Sequence, residues 1–160
     1  MNVLEKLTER WSDIDYPFLV HSSGELRFSE IVEQKAVDVS KVKSGDVVAL
    51  IGDFDPQSIL TLLQLIDKNV ILVPLTVDTR AQHEYFFESA LVDVVIEGEE
   101  VKRITHSINH EIIESLRSKE HAGLVLFSTG TTGRPKAILH DLTLFMQRFE
   151  TRRPTLKTIN

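Results

Sequence analysis

Apolar residues fall into two alternating patterns along this chain: near-continuous runs of strand length, and sets spaced as one face of a helix. VVALI (47–51), VILVPL (70–75), VDVVIE (92–97) and AGLVLFS (122–128) are the runs, as expected for strands covered on both faces. Between the first two, Asp55-Pro56 starts a helix with proline in its first turn, Ile59, Leu60, Leu63 and Ile66 keep helical spacing, and Asn69 stops it. Thr79 reads as the cap of a helix to about Ala90. A polar segment follows VDVVIE, then a short amphipathic helix over 109–117. KAILH (136–140) reads as one more strand, and Asp141 as the cap of a helix through Phe149.

The first third is less regular. Val3, Leu4, Leu7 and Trp11 share a helical face, and PFLVHSSGELRF reads as two short strands joined through Ser22-Ser23-Gly24-Glu25. Ser29 is the expected N-cap of a helix carrying Ile31, Val32, Lys35, Ala36 and Val39, and Ser44-Gly45-Asp46 is a turn. Strand and helix alternating at these lengths give an α/β fold, a mainly parallel sheet flanked by helices. After the last helix the alternation asks for another strand; TLKTI would begin it, and the chain ends at Asn160. We therefore expect a piece of a longer protein.

Composition narrows the classes. With 42% hydrophobic and 26% charged residues the chain has the balance of a folded, soluble protein, and the absence of cysteine removes disulfide and thiolate chemistry. The N-terminal MNVLEKLTERWSDID lacks the apolar stretch of a signal peptide, and neither VVALI nor VILVPL is long enough to cross a bilayer. A cytoplasmic location is expected. A net charge of -6 disfavours nucleic acid and anionic membranes as partners, although a local basic pocket can still hold a phosphorylated small molecule.

The chemistry concentrates in FSTGTTGRPKAILH, Phe127 to His140. Ligands collect at the carboxyl ends of strands in such sheets, and AGLVLF runs straight into this segment. Gly130 and Gly133 permit positive φ and close approach of the backbone, so successive N–H groups can converge on an anion. Ser128, Thr129, Thr131 and Thr132 add hydroxyls, Lys136 a full charge, and Pro135 stiffens the exit. A Walker loop is excluded, because its lysine follows glycine and precedes Ser or Thr, whereas Lys136 stands between Pro135 and Ala137. The dinucleotide pattern G-x-G-x-x-G lacks its first glycine. A plain surface turn is the alternative for any Ser/Thr/Gly cluster.

FSTGTTGRPKA resembles the signature of the adenylate-forming superfamily: Tyr or Phe, two Ser/Thr, Gly, Ser/Thr, Thr, Gly, any residue, Pro, Lys, Gly. That superfamily contains acyl- and aryl-CoA synthetases, adenylation domains of peptide synthetases and beetle luciferases. SGELRFSEI and SGDVVALIGDFDPQSILTLLQLIDKNVILVPLTVDT resemble its upstream core, so the likeness runs from about Tyr16 to Phe149. The resemblance implies that residues 1–160 are an N-terminal AMP-binding subdomain fragment ending after the phosphate loop. It implies that Ser128, Thr129, Gly130, Thr131, Thr132, Gly133 and Lys136 hold the β- and γ-phosphates of ATP, with Lys136 catalytic and Mg²⁺ sharing the charge. A substrate carboxylate would attack the α-phosphorus, giving an acyl-adenylate that passes to coenzyme A or to the phosphopantetheine of an acyl carrier protein.

This sequence departs from the signature at Ala137, where glycine is usual, and Asn69-Val70 replaces the usual Ala-Gly. His140 matches the first histidine of a His-x-His pair, whose second is Leu142 here; it is the candidate for contact with the acyl substrate, although a strand-end histidine is more often structural. The superfamily's acyl-pocket segment, its Tyr-Gly-x-Thr-Glu stretch, its ribose-binding aspartate and its C-terminal lysine find no match. The 160 residues alone are thus expected to be inactive, and a sheet cut short is expected to self-associate. The alternative is a nonenzymatic nucleotide-binding or protein-interaction module.

Other clusters carry less. His106 and His110 are four apart but gain no further ligand, so no metal site is expected. Asp13, Asp15, Glu97, Glu99 and Glu100 read as solvated turns, and Arg148, Arg152 and Arg153 as charges favoured at a helix C-terminus. Tyr85, Phe86 and Phe87 read as core and not as a stacking platform.

Overall fold

A computed structural model describes residues 3–22, 24–104, 108–128 and 133–150. Helix α1 (Val3–Trp11) leads to a small antiparallel hairpin, β1 (Leu19–His21) and β2 (Gly24–Leu26), and then to α2 (Phe28–Val32). From β3 (Val47–Ile51) the strand–helix alternation runs as expected: α3 (Pro56–Asp67), β4 (Ile71–Leu75), α4 (His83–Ala90), β5 (Val94–Glu97), β6 (Glu100–Arg103), α5 (Glu111–Ser118), β7 (Gly123–Ser128), β8 (Lys136–Asp141) and α6 (Leu142–Glu150).

Six of these strands form one sheet in the order β6-β5-β3-β4-β7-β8. The central four, β5, β3, β4 and β7, are mutually parallel, and antiparallel β6 and β8 close the edges. Strand β3 is buried along its whole length, which is why its sequence is apolar without alternation. On one face, Val47, Ala49, Ile51, Ile71 and Val73 pack against Phe86 and Ala90 of α4 and Ile113 and Leu116 of α5. On the other, Val48, Leu50, Leu72, Val94 and Ile96 pack against Leu65 of α3 and against Val37 and Val42. A third cluster joins α1, α2, α3 and α6 through Val3, Phe28, Leu63, Ile66 and Leu142.

Local signals explain the best-defined boundaries. Asp55 caps α3 by accepting from the Ser58 N–H at 2.9 Å, Pro56 holds the first helical position, and Asn69 ends the helix at φ 55°. Burial works to raise the pKa of Asp55, but the Ser58 hydroxyl and the backbone N–H groups outweigh it, so the carboxyl lies below its ordinary value.

Three expectations are corrected. The helix assigned to Ser29 through Val39 has Arg27 at its N-cap and ends at Val32, because Val37 is needed in the cluster beneath the sheet while Phe28 belongs to a different one. Thr79 does not cap α4: residues 77–82 form a 3-10 turn, and the Thr79 hydroxyl donates to the Thr76 carbonyl. The polar segment after β5 contains a strand, β6, paired with β5 across Gly98-Glu99, with Gly98 at φ 55°. The strand expected in TLKTI lies outside the described residues.

Candidate functional site

The four parallel strands end along one edge of the sheet, and the polar groups that follow them meet there. After β4, the Thr76 carbonyl receives the buried His83 ring, whose Nε2 lies 3.0 Å away. A carbonyl can only accept, so this nitrogen carries the proton. Asp53, after β3, accepts from the Val77 N–H at 3.1 Å. Arg80 pairs with Glu97 at the end of β5, and this bond holds the Glu97 carboxyl below its ordinary range.

Strand β7 delivers Ser128 to this edge, and Lys136 starts the return strand directly opposite it. Opposed residues of an antiparallel pair share a face, so the Ser128 and Lys136 side chains flank the intervening loop on one side of the sheet. Lys136 is exposed, and among the described residues it pairs with no carboxylate. Thr129, Gly130, Thr131 and Thr132 lie outside the described residues. Gly133 is exposed and does not use the positive φ that glycine permits, and a Cβ placed on it would meet nothing within 4 Å. Nothing in the free backbone therefore requires glycine at this position. Ala137 sits in regular strand opposite Phe127 without positive φ, so the alanine is accommodated.

Tyr85, Phe86 and Phe87 belong to the core or pack against it, as expected, and two of them also reach the residues flanking the loop. Tyr85 is half-buried, and its hydroxyl donates to the Pro135 carbonyl at 2.7 Å. The Arg134 guanidinium lies 5.4 Å above the Tyr85 ring. Next to it, Phe86 stacks on Phe127 with centroids 4.1 Å apart. Helix α4 thus touches the residue before Ser128 and the residue before Lys136. The signal was only a run of three aromatics, and nothing local tied Tyr85 to a loop fifty residues away.

His140 is exposed in β8 on the same face as Lys136, opposite Leu124. Four strand positions separate the two, a distance of roughly 13 Å, so His140 stands toward the other end of the sheet. His110 caps α5, its Nδ1 accepting from the Ile112 N–H at 3.3 Å, while His106 lies outside the described residues. Among the described residues no group of three or more His, Asp or Glu is placed to hold a metal ion. No described helix is long and apolar enough to cross a membrane.

No family model matches the chain, and no curated protein matches it by sequence. Solved structures match by fold. The N-terminal subdomain of NpsA from Klebsiella oxytoca, in complex with anthranilyl-AMSN, superposes with a TM-score of 0.60 at 18% identity, over 97% of this chain and 44% of that one. VinN in complex with L-aspartate gives 0.58 at 17% identity, over 88% of this chain and 47% of that one. An artificially fused adenylation–PCP di-domain, NpsA-ThdA, gives 0.56 at 17% identity, over 85% of this chain and 31% of that one. The fold is that of an adenylation-domain N-terminal subdomain. This is the α/β architecture implied by the resemblance around Phe127–Ala137, and the chain spans less than half the length of the structures it matches.

Proposed function

We propose that residues 1–160 are the phosphate-binding part of an N-terminal adenylation subdomain in an ATP-dependent carboxylic acid:thiol ligase. One observation carries this reading: a Ser/Thr/Gly loop with a Pro-Lys exit leaves the carboxyl end of a parallel strand in an adenylation-domain fold.

In this reading Ser128, Thr129, Gly130, Thr131, Thr132, Gly133 and Lys136 receive the β- and γ-phosphates of ATP. A carboxylate oxygen attacks the α-phosphorus, the bond from that phosphorus to the β-bridging oxygen breaks, and pyrophosphate departs. The Lys136 ammonium and the loop N–H groups stabilise the charge that builds on the leaving group. Mg²⁺, when bound with the triphosphate, would supply further charge neutralisation. The acyl group then passes to a thiol, that of coenzyme A or of a carrier protein's phosphopantetheine. NpsA and VinN carry an anthranilyl analogue and L-aspartate in their structures, which supports a small carboxylic acid as substrate. His140, roughly 13 Å along β8 from Lys136, is kept as a contact for the acyl substrate only where that substrate extends over the open face, and the protein is assigned to the cytoplasm.

The chain also presents an edge for self-association. Strand β8 is the sheet's outer strand among the described residues, and Leu126, Ile138 and Leu144 are exposed on or beside it. Light scattering is expected to show mass rising with concentration; a constant monomer mass would overturn this.

The activity is tested by carboxylate-dependent ATP–pyrophosphate exchange, with the protein at its natural length and a broad panel of acids. Lys136→Ala is expected to slow exchange about a hundredfold. An unchanged rate removes Lys136 from its role, and no exchange with any acid counts against the ligase.

A further inference from the structure

We propose that helix α4 is a clamp on the phosphate loop, with Tyr85 as the positioning residue for Lys136; this rests on the phosphate-loop reading above. The contacts are of three kinds and grip both ends of the loop. At its start, Phe86 is buried and stacks on Phe127, which fixes the residue that precedes Ser128. At its end, the Tyr85 hydroxyl donates to the Pro135 carbonyl at 2.7 Å, the preferred length for such a bond. That carbonyl and the Lys136 N–H belong to one planar peptide, so holding the oxygen holds the amide from which Lys136 departs. One residue earlier, the Arg134 guanidinium rests over the same ring at 5.4 Å, within cation–π range.

The clamp is itself tied down. His83, in the first turn of α4, is buried and bonded to the Thr76 carbonyl at the end of β4. Two aromatic neighbours, Tyr85 and Phe86, therefore connect the carboxyl end of β4 to both sides of a loop that follows β7. Phenylalanine at position 85 would fill the same space and would keep the ring contact with Arg134. The hydroxyl adds only the bond to Pro135, and that bond has no role in packing the core. Its purpose is the position of the loop exit. A lysine that must meet charge developing on a leaving group gains from being held there beforehand.

The test compares wild type with Tyr85→Phe in two measurements on this chain. In the ligand-free protein, backbone amide hydrogen exchange at Gly133, Arg134 and Lys136 is expected to accelerate about three- to tenfold in the variant, the range for one lost hydrogen bond. Exchange within α4 should change less than exchange at the loop exit, and the thermal midpoint should fall by no more than about 2–4 °C. In a titration with magnesium pyrophosphate, the variant should bind about three- to tenfold more weakly. Arg134→Ala, at an exposed position, should raise exchange at Gly133 and Lys136 about twofold and serves if the first variant folds poorly. The clamp is overturned if Tyr85→Phe leaves both loop exchange and pyrophosphate affinity unchanged while Lys136→Ala weakens binding. Failure of the phosphate-loop reading has another signature: wild type binds no pyrophosphate, yet Tyr85→Phe still loosens residues 133–136.

Discussion

The two faces of the β7–β8 hairpin are built differently. On one, Val125, Phe127 and Leu139 pack against the core shared with α4 and α5, and Phe86 stacks on Phe127. On the other, Leu126 and Ile138 are each 45% exposed, with Lys136 and His140 beside them on β8. The hairpin is thus anchored from one side, and the same side contacts Phe127 and Pro135, the residues that bracket its tip. The open side carries the proposed chemistry. Adjacent residues alternate between faces, so one strand can serve packing and ligand at once.

Substitutions on the covered face should have the largest effects. Phe86→Ala removes a 4% exposed ring from the stack on Phe127 and should lower stability by about 3–5 kcal/mol, read from the urea midpoint. Gly123→Ala comes next. A Cβ there would stand 2.6 Å from Leu116 Cδ2, and overpacking of this kind costs about 1–3 kcal/mol.

Where the hairpin meets α6, the effect should be smaller and pH-dependent. Burial works against the charged form of Asp141, but the Leu144 N–H and the His121 ring, 2.8 Å from Oδ2, outweigh it and hold its carboxyl below the ordinary value. A lowered folded-state pKa means that this stabilisation is complete above the unfolded value, about 3.9, and is lost as pH falls through the folded value. Asp141→Ala should therefore cost about 0.5–2 kcal/mol at neutral pH, and its gap to wild type should close as the pH drops below about 4. A gap of equal size at pH 7 and at pH 2 would contradict the assignment. Least affected should be the open face: Ile138→Ser should change stability by less than about 0.5 kcal/mol while reducing self-association.

The comparison also shows which features a sequence can carry. Helix α3 was legible because Asp55, Pro56, Ser58 and Asn69 are local signals that act within one turn of the helix end. Helix α4 was misread at its start because Thr79 has the right chemistry for a cap, yet its hydroxyl is taken by the Thr76 carbonyl and the His83 ring. The β5–β6 hairpin had a signal, Gly98-Glu99 between short runs, but Glu100, Lys102 and Arg103 gave β6 no apolar alternation. At the site, the motif gave the loop and Lys136 their place after a strand. Tyr85 remained hidden, because its partner Pro135 becomes a neighbour only once β4 and β7 pair. The sheet was readable from its apolar runs, and the Tyr85–Pro135 contact only from topology.

The central claim is that the loop from Ser128 to Lys136 receives a polyphosphate. Calorimetric titration of magnesium pyrophosphate into this chain tests it most directly, with Lys136→Ala and His140→Ala run beside wild type. Binding is expected to be saturable and salt-sensitive, weakened about tenfold or more by Lys136→Ala and unchanged by His140→Ala. Equal affinity in wild type and Lys136→Ala would contradict it.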